Sequence, residues 1–254
     1  MEDARTILAT HNLCRDFHGF RAVNAVDLAV EEGTVHALVG PNGAGKTTLF
    51  NLLTGFLPPT AGGIDFAGED ITHLPPERIA RLGVARSFQV TSLFAQMAVR
   101  EHVELALQAR SREKEGRRFW RSERLMRRFE APAMDVLAEV GLAGLATRPA
   151  GSLPYGQKRA LELALALALE PRLLLLDEPT AGMGLEDVDR TVALIARIRS
   201  GRTVVMVEHN MTVVGTLADT VTVLQRGEVL VTGPYGQVRQ DPRVVEAYLG
   251  ADVA

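Results

Sequence analysis

Three hydrophobic patterns alternate along the chain. Val35 to Val39, Leu173 to Leu176 and Thr203 to Val207 are nearly continuous apolar runs, which predicts strands buried on both faces of a parallel sheet. Between and around them lie segments of helical spacing: Leu49 to Phe56, a helix opened by Pro75-Pro76, Ala160 to Leu169, Glu186 to Arg199, Met211 to Leu217 and Arg243 to Leu249. Residues 7–39 instead alternate short apolar runs with turn residues at Asp16 to Gly19 and Glu31 to Gly33, which predicts a few antiparallel strands. Ile64 to Phe66 and Val84 to Phe88 read as short strands, with Pro58 to Gly63 as a turn cluster before the first. Val221 to Leu224 and Glu228 to Val231 read as a strand pair turning at Arg226-Gly227.

The middle of the chain has no strand signal. Val99, Val103, Ala106 and Leu107 share one helical face, and Leu125, Phe129, Met134, Leu137 and Val140 carry the helical pattern on to Gly141. The expected organisation is one α/β domain over 1–254. Its core is formed by 1–89 and 156–254, including the N-terminal antiparallel β subdomain, and a helical subdomain is inserted at 90–155.

Composition narrows the class. An apolar content of 46% with 23% charged residues over 254 residues reads as a globular protein with a sizeable core. A pI near 6.1 gives no general pull toward nucleic acid. The single Cys14 cannot form an internal disulfide, which suits a reducing compartment. Met1 to Arg5 is not followed by the apolar core of a secretory leader, and no apolar run is long enough to span a bilayer. A basic stretch, Arg110 to Arg128 around Phe119 and Trp120, is interleaved with Glu113, Glu115 and Glu123, so it reads as a solvated helix face beside a partner.

The candidate chemistry starts at Gly40-Pro41-Asn42-Gly43-Ala44-Gly45-Lys46-Thr47-Thr48, between a strand and a helix. This is the spacing of the phosphate-binding loop, whose backbone N–H groups and helix N-terminus converge on phosphate oxygens. Lys46 would reach the β- and γ-phosphates, and the Thr47 hydroxyl would sit on Mg²⁺. In an open parallel sheet ligands bind at the carboxyl ends of strands, where Gln89, Asp177-Glu178 and His209 all fall. Asp177 would hold Mg²⁺ mainly through water, Gln89 would touch the metal, and Glu178 would deprotonate an attacking water. His209 would hydrogen-bond the γ-phosphate or that water. His11, His18, His36, His73 and His102 lack such company, and Phe17, an aromatic in a strand, reads as core ahead of a base-stacking surface.

Leu153-Pro154-Tyr155-Gly156-Gln157 opens a helix and presents a second set of free amides. The phosphate loop, Gln89, this pentapeptide, Asp177-Glu178-Pro179-Thr180 and His209, in this order, resemble the ATP-binding subunit of an ABC transporter over essentially the whole chain. The resemblance implies a P-loop NTPase, ATP and Mg²⁺ as cofactors, Phe17 as the adenine-stacking aromatic, and a head-to-tail dimer. In that dimer Leu153, Tyr155, Gly156 and Gln157 of one subunit would complete the other's ATP site. Arg86-Ser87-Phe88-Gln89, Val207 to Met211 and the ending Glu246-Ala247-Tyr248-Leu249-Gly250 are similar to the larger ATPase subunit of branched-chain amino acid importers, whose relatives carry urea, amides or aromatic acids. That branch implies integral-membrane permeases, a second ATPase subunit and, indirectly, a solute-binding protein, with this chain peripheral at the cytoplasmic face of the inner membrane. A lipid or lipopolysaccharide exporter ATPase is the alternative, disfavoured by the basic insertion and the ending. A soluble ABC protein would carry two cassettes or a coiled coil, and a GTPase would show N-K-x-D. Two positions depart from the family: Pro154 where serine is usual, and Gly184 where aspartate is common.

Overall fold

The computed structural model describes residues 5–87, 93–115 and 128–249. Two long antiparallel strands, β1 (Thr6–Phe17) and β2 (Phe20–Glu31), turn at His18-Gly19. They lead into β3 (Val35–Val39), the phosphate loop and α1 (Lys46–Leu53). Then follow β4 (Ala61–Phe66), β5 (Glu69–Asp70), α2 (Pro76–Arg81) and β6 (Val84–Arg86). The helical stretch contributes α3 (Val99–Glu115) and α4 (Glu130–Glu139), and α5 (Tyr155–Leu167) starts at the pentapeptide. The remainder alternates: β7 (Leu173–Asp177), α6 (Leu185–Ile198), β8 (Thr203–Val207), α7 (Met211–Leu217), β9 (Thr220–Gln225), β10 (Glu228–Gly233), α8 (Tyr235–Val238) and α9 (Pro242–Leu249).

The larger sheet has the order β10-β9-β3-β8-β7-β6, parallel from β9 to β6 with β10 antiparallel at one edge. Every residue of β3, β7 and β8 is buried, as the unbroken apolar runs require. The pleat sends alternate side chains to two separate cores. Val35, Ala37, Val39, Leu174, Leu176, Val204 and Met206 join one cluster with the helices α3 to α7. Leu38, Leu173, Leu175, Val205 and Val207 join another with the antiparallel sheet, order β2-β1-β4-β5, and with Leu49, Phe50, Leu52 and Leu53 of α1. The phosphate-loop helix is thus wedged between two sheets, which fixes its N-terminus against the strand ends.

Some expectations needed correction. Ala61 to Gly63, expected in a turn, begin β4. Gly62 sits there at φ +87, where a Cβ would come within 2.3 Å of the Asn12 carbonyl, so a turn-like residue is required by close backbone approach inside a strand pair. The N-terminal strands are longer than the turn signals suggested because β-bulges absorb the polar interruptions of β1. The helix expected to run from the pentapeptide through Leu169 opens there, at Tyr155, but ends two residues early, at Leu167.

Candidate nucleotide site

The phosphate loop needs glycine for steric reasons that the structure makes explicit. Gly40 has φ +148 and a Cβ there would meet the Leu224 carbonyl oxygen at 2.1 Å; Gly45 has φ +99 and would meet the Ala22 carbonyl at 2.5 Å. The β9–β10 turn buttresses the loop, with Gly227 N–H donating to the Ala44 carbonyl at 3.0 Å. Pro41, Asn42, Gly43 and Ala44 line a cavity of about 530 Å³, and Asn42, Gly43 and Thr47 are exposed. Lys46 folds back into the loop, its Nζ donating to the Gly40 carbonyl at 2.6 Å and the Pro41 carbonyl at 2.9 Å. Burial lowers the Lys46 pKa, while the Glu178 carboxylate acts in the opposite direction. Glu178 is thus within electrostatic reach of the phosphate loop, although 132 positions of sequence separate it from Lys46.

Asp177 ends β7 and is buried. Its Oδ2 accepts from Arg86 Nη2 at 2.5 Å, while its Oδ1, also buried, has no hydrogen-bond partner. The second nitrogen of the Arg86 fork, Nη1, donates to Asn51 Oδ1 at 2.7 Å, and the guanidinium lies 5.7 Å from the Phe50 ring centroid. An orphaned, buried carboxylate oxygen beside a loop with an exposed Thr47 hydroxyl fits Mg²⁺, which takes one or two carboxylates plus phosphate oxygens and water. No cluster of three His, Cys, Asp or Glu side chains that could cage a metal occurs among the described residues.

Glu178 is half-buried and adopts φ +46, an uncommon conformation for a non-glycine residue. His209 stands just past β8 with its side chain 62% exposed and its Nδ1 3.9 Å from Glu208 Oε2. Asn210 beside it caps α7, accepting from the Thr212 and Val213 amides. Phe17 is half-buried at the end of β1 rather than in the core, and the Arg15 guanidinium covers one ring face at 4.6 Å from the centroid. Gln89 lies outside the described residues.

At the pentapeptide Leu153 is buried, and Pro154 takes the N-cap position of α5 with no side-chain cap, so the Tyr155, Gly156 and Gln157 amides open the helix without an internal acceptor. Tyr155, 45% exposed, donates from its hydroxyl to the Ala181 carbonyl at 3.2 Å, tying this peptide to the loop after Thr180. Gly156 abuts Asp187 of α6: a Cβ would stand 2.9 Å from Asp187 Oδ1. Gly156 and Gln157 line a cavity of about 460 Å³ that shares no residue with the one at the phosphate loop. The cavity at the pentapeptide and the cavity at the phosphate loop are therefore separate on one chain. In the basic stretch, Arg110 pairs with Glu170, and Arg128 donates to Ser111 Oγ at 2.7 Å. Most of that stretch falls outside the described residues.

The sequence assigns no individual role to Arg86, Glu208 or Asp187, because each acts through a partner that only the sheet register or helix packing brings near.

The family described as ABC transporter matches residues 23–181, and the one described as branched-chain amino acid ATP-binding cassette transporter matches 228–254. The chain is 44% identical to the high-affinity branched-chain amino acid transport ATP-binding protein BraF of Pseudomonas aeruginosa, covering 97% of this chain and 99% of that one. It is 36% identical to LivG of Escherichia coli, which carries the same description, at the same coverage. The fold superposes with a TM-score of 0.85 on the ADP conformation of an ATP-binding cassette of an ABC transporter, at 29% identity over 97% of this chain and 99% of that one.

Proposed function

The chain belongs to the ABC transporter family of ATP-binding, ATP-hydrolysing subunits, and from that premise we propose that it powers import of branched-chain amino acids through membrane permease partners. The solute class rests on full-length similarity to proteins described as branched-chain amino acid transport subunits, together with the C-terminal match over 228–254. No helix among the described residues is long and apolar enough to cross a membrane, so the permeation path belongs to the permeases. The chain sits against them at the cytoplasmic face of the inner membrane. A second ATPase subunit pairs with it, and a solute-binding protein delivers the cargo.

The mechanism rests on Lys46, folded over the glycine cradle and within electrostatic reach of Glu178, which follows Asp177 at the end of β7. The loop amides from Gly40 to Thr48 hold the β- and γ-phosphates, and Lys46 leaves its two carbonyl acceptors to offset their charge. Thr47, Asp177 through its free Oδ1, and Gln89 would hold Mg²⁺, which supplies charge neutralisation on the phosphate oxygens. Phe17, half-buried at the end of β1, offers its ring to adenine. Glu178 accepts a proton from the water that attacks the γ-phosphorus as the bond to the β-phosphate oxygen breaks, and His209 donates a hydrogen bond to the γ-phosphate oxygens. ADP and phosphate are the products.

The helical stretch 90–155 acts as a subdomain with the pentapeptide at its end. In a head-to-tail dimer Leu153, Tyr155, Gly156 and Gln157 close over the partner's γ-phosphate. The test is Glu178→Gln: MgATP binding should persist while turnover falls at least about a hundredfold, the scale of lost base catalysis. Near-normal turnover would refute the assignment.

A further inference from the structure

The Glu208 carboxylate is 0% exposed and makes no ion pair with any lysine or arginine among the described residues. All its acceptor capacity is spent on two loops. Oε1 accepts from the Thr180 amide at 3.1 Å and the Thr180 hydroxyl at 2.5 Å; Oε2 accepts from the His209 amide at 3.0 Å and the Asn210 amide at 3.2 Å. A buried carboxylate held by N–H and O–H dipoles, with the His209 Nδ1 no nearer than 3.9 Å, is costly compared with an apolar residue, so its presence calls for something beyond packing.

Glu178 supplies the reason. Its φ of +46 is a strained conformation for a residue with a Cβ, and such strain persists only where the surroundings over-determine it. Three restraints bracket it. The Glu178 amide donates to the Val207 carbonyl at 3.0 Å, its own carbonyl accepts from Ala181 at 3.1 Å, and Thr180 is anchored on Glu208. Pro179 between them has no N–H, so Thr180 is the first residue after Glu178 that can be tied down by its amide.

We propose that Glu208 is a positioning residue that locks the backbone carrying Glu178 to the backbone carrying His209, so that the two groups meet the γ-phosphate in fixed register. One carboxylate spans both loops, and neither loop can shift without giving up hydrogen bonds to it. The inference rests on the roles proposed above for Glu178 and His209. Because the phosphate loop is held by other contacts, loss of Glu208 should affect the chemical step and spare nucleotide affinity.

The test is steady-state ATP hydrolysis by the full chain, with MgATP affinity measured by calorimetry. Glu208→Gln keeps the shape but offers a single acceptor oxygen, leaving at least one amide facing an NH₂ group. The expected result is a fall in kcat of about 10- to 100-fold with KM and affinity within twofold, the scale of a small misplacement of reacting groups. Thr180→Val, losing only the hydroxyl, should fall between, and Thr180→Ser, keeping both donors, should restore the rate. In the double variant Thr180→Val with Glu208→Gln the losses should not multiply, since both break one contact. Glu178→Gln and His209→Ala run alongside. If both retain wild-type turnover, the underlying roles fail and this inference with them. If both are slow while Glu208→Gln keeps its kcat, or loses kcat and affinity together with Thr180→Ser giving no rescue, the positioning role alone is overturned.

Discussion

Arg86 Nη2 donates to Asp177 Oδ2 at 2.5 Å, joining the ends of two neighbouring parallel strands through a pair whose side chains are only 12% and 1% exposed. Removing the cation alone would strand a buried carboxylate. Arg86→Met is expected to destabilise the fold by about 3–5 kcal/mol, the usual cost of breaking a buried pair from one side. Adding Asp177→Asn should recover part of that loss, because the uncompensated charge goes with it. Denaturant midpoints of the two variants decide the matter, and a double variant less stable than Arg86→Met would contradict the charge argument.

His36 lies in β3, 1% exposed, with Nε2 2.8 Å from Thr222 Oγ1. Burial pushes its pKa from the ordinary 6.5 down to about 4. Between those values the unfolded chain binds a proton that the folded chain refuses, so stability falls as pH drops through that window and is untouched above it. At about 1.4 kcal/mol per unit the loss reaches roughly 3 kcal/mol below the folded pKa. His36→Gln should flatten the stability profile between pH 6.5 and 4 relative to wild type. Parallel profiles for the two proteins would exclude His36 as the cause.

Lys46→Ala should weaken ATP binding itself, because the ammonium offsets triphosphate charge in ground and transition state alike. Two charge-assisted hydrogen bonds of about 1.5 kcal/mol each correspond to roughly a hundredfold in affinity. The fold should survive, since in the free protein the ammonium donates to the Gly40 and Pro41 carbonyls of its own loop and ties no distant segments together through them. Calorimetric titration with ATP measures this directly, and an unchanged affinity would rule it out.

How much of this was legible in the sequence differs by kind of signal. Leu173 to Asp177 and Val35 to Val39 announced buried parallel strands because a period of two is absent when both faces are covered. The phosphate loop was legible because its glycines, Lys46 and Thr47 recur at fixed spacing within one short segment, although the Leu224 and Ala22 carbonyls that crowd Gly40 and Gly45 are distant in sequence. Arg86 was not, since its partner depends on the register that sets it beside Leu175, two residues before Asp177. The left-handed backbone of Glu178 and the contact of Gly156 with Asp187 leave no local trace either, because both arise where distant segments pack.

The Gly156–Asp187 contact bears on dimerisation. The amides of Tyr155, Gly156 and Gln157 are separate from the phosphate loop on one chain, so a monomer leaves the γ-phosphate without them. ATP then has higher affinity for the dimer and shifts the population toward it by that difference, while ADP, lacking the γ-phosphate, does not. A carboxylate at residue 156 should block closure by repelling the partner's phosphate. It would also face Asp187, only 2.9 Å from a Cβ at this position, and so disturb its own chain before any partner arrives. The informative comparison removes that second effect. On a Glu178→Gln background, light scattering with ATP should show dimer for the parent and for Asp187→Ala. Gly156→Asp combined with Asp187→Ala should stay monomeric despite bound ATP, and all forms should be monomeric with ADP. If the combined variant dimerises with ATP as the parent does, the pentapeptide does not meet the partner's phosphate in the homodimer.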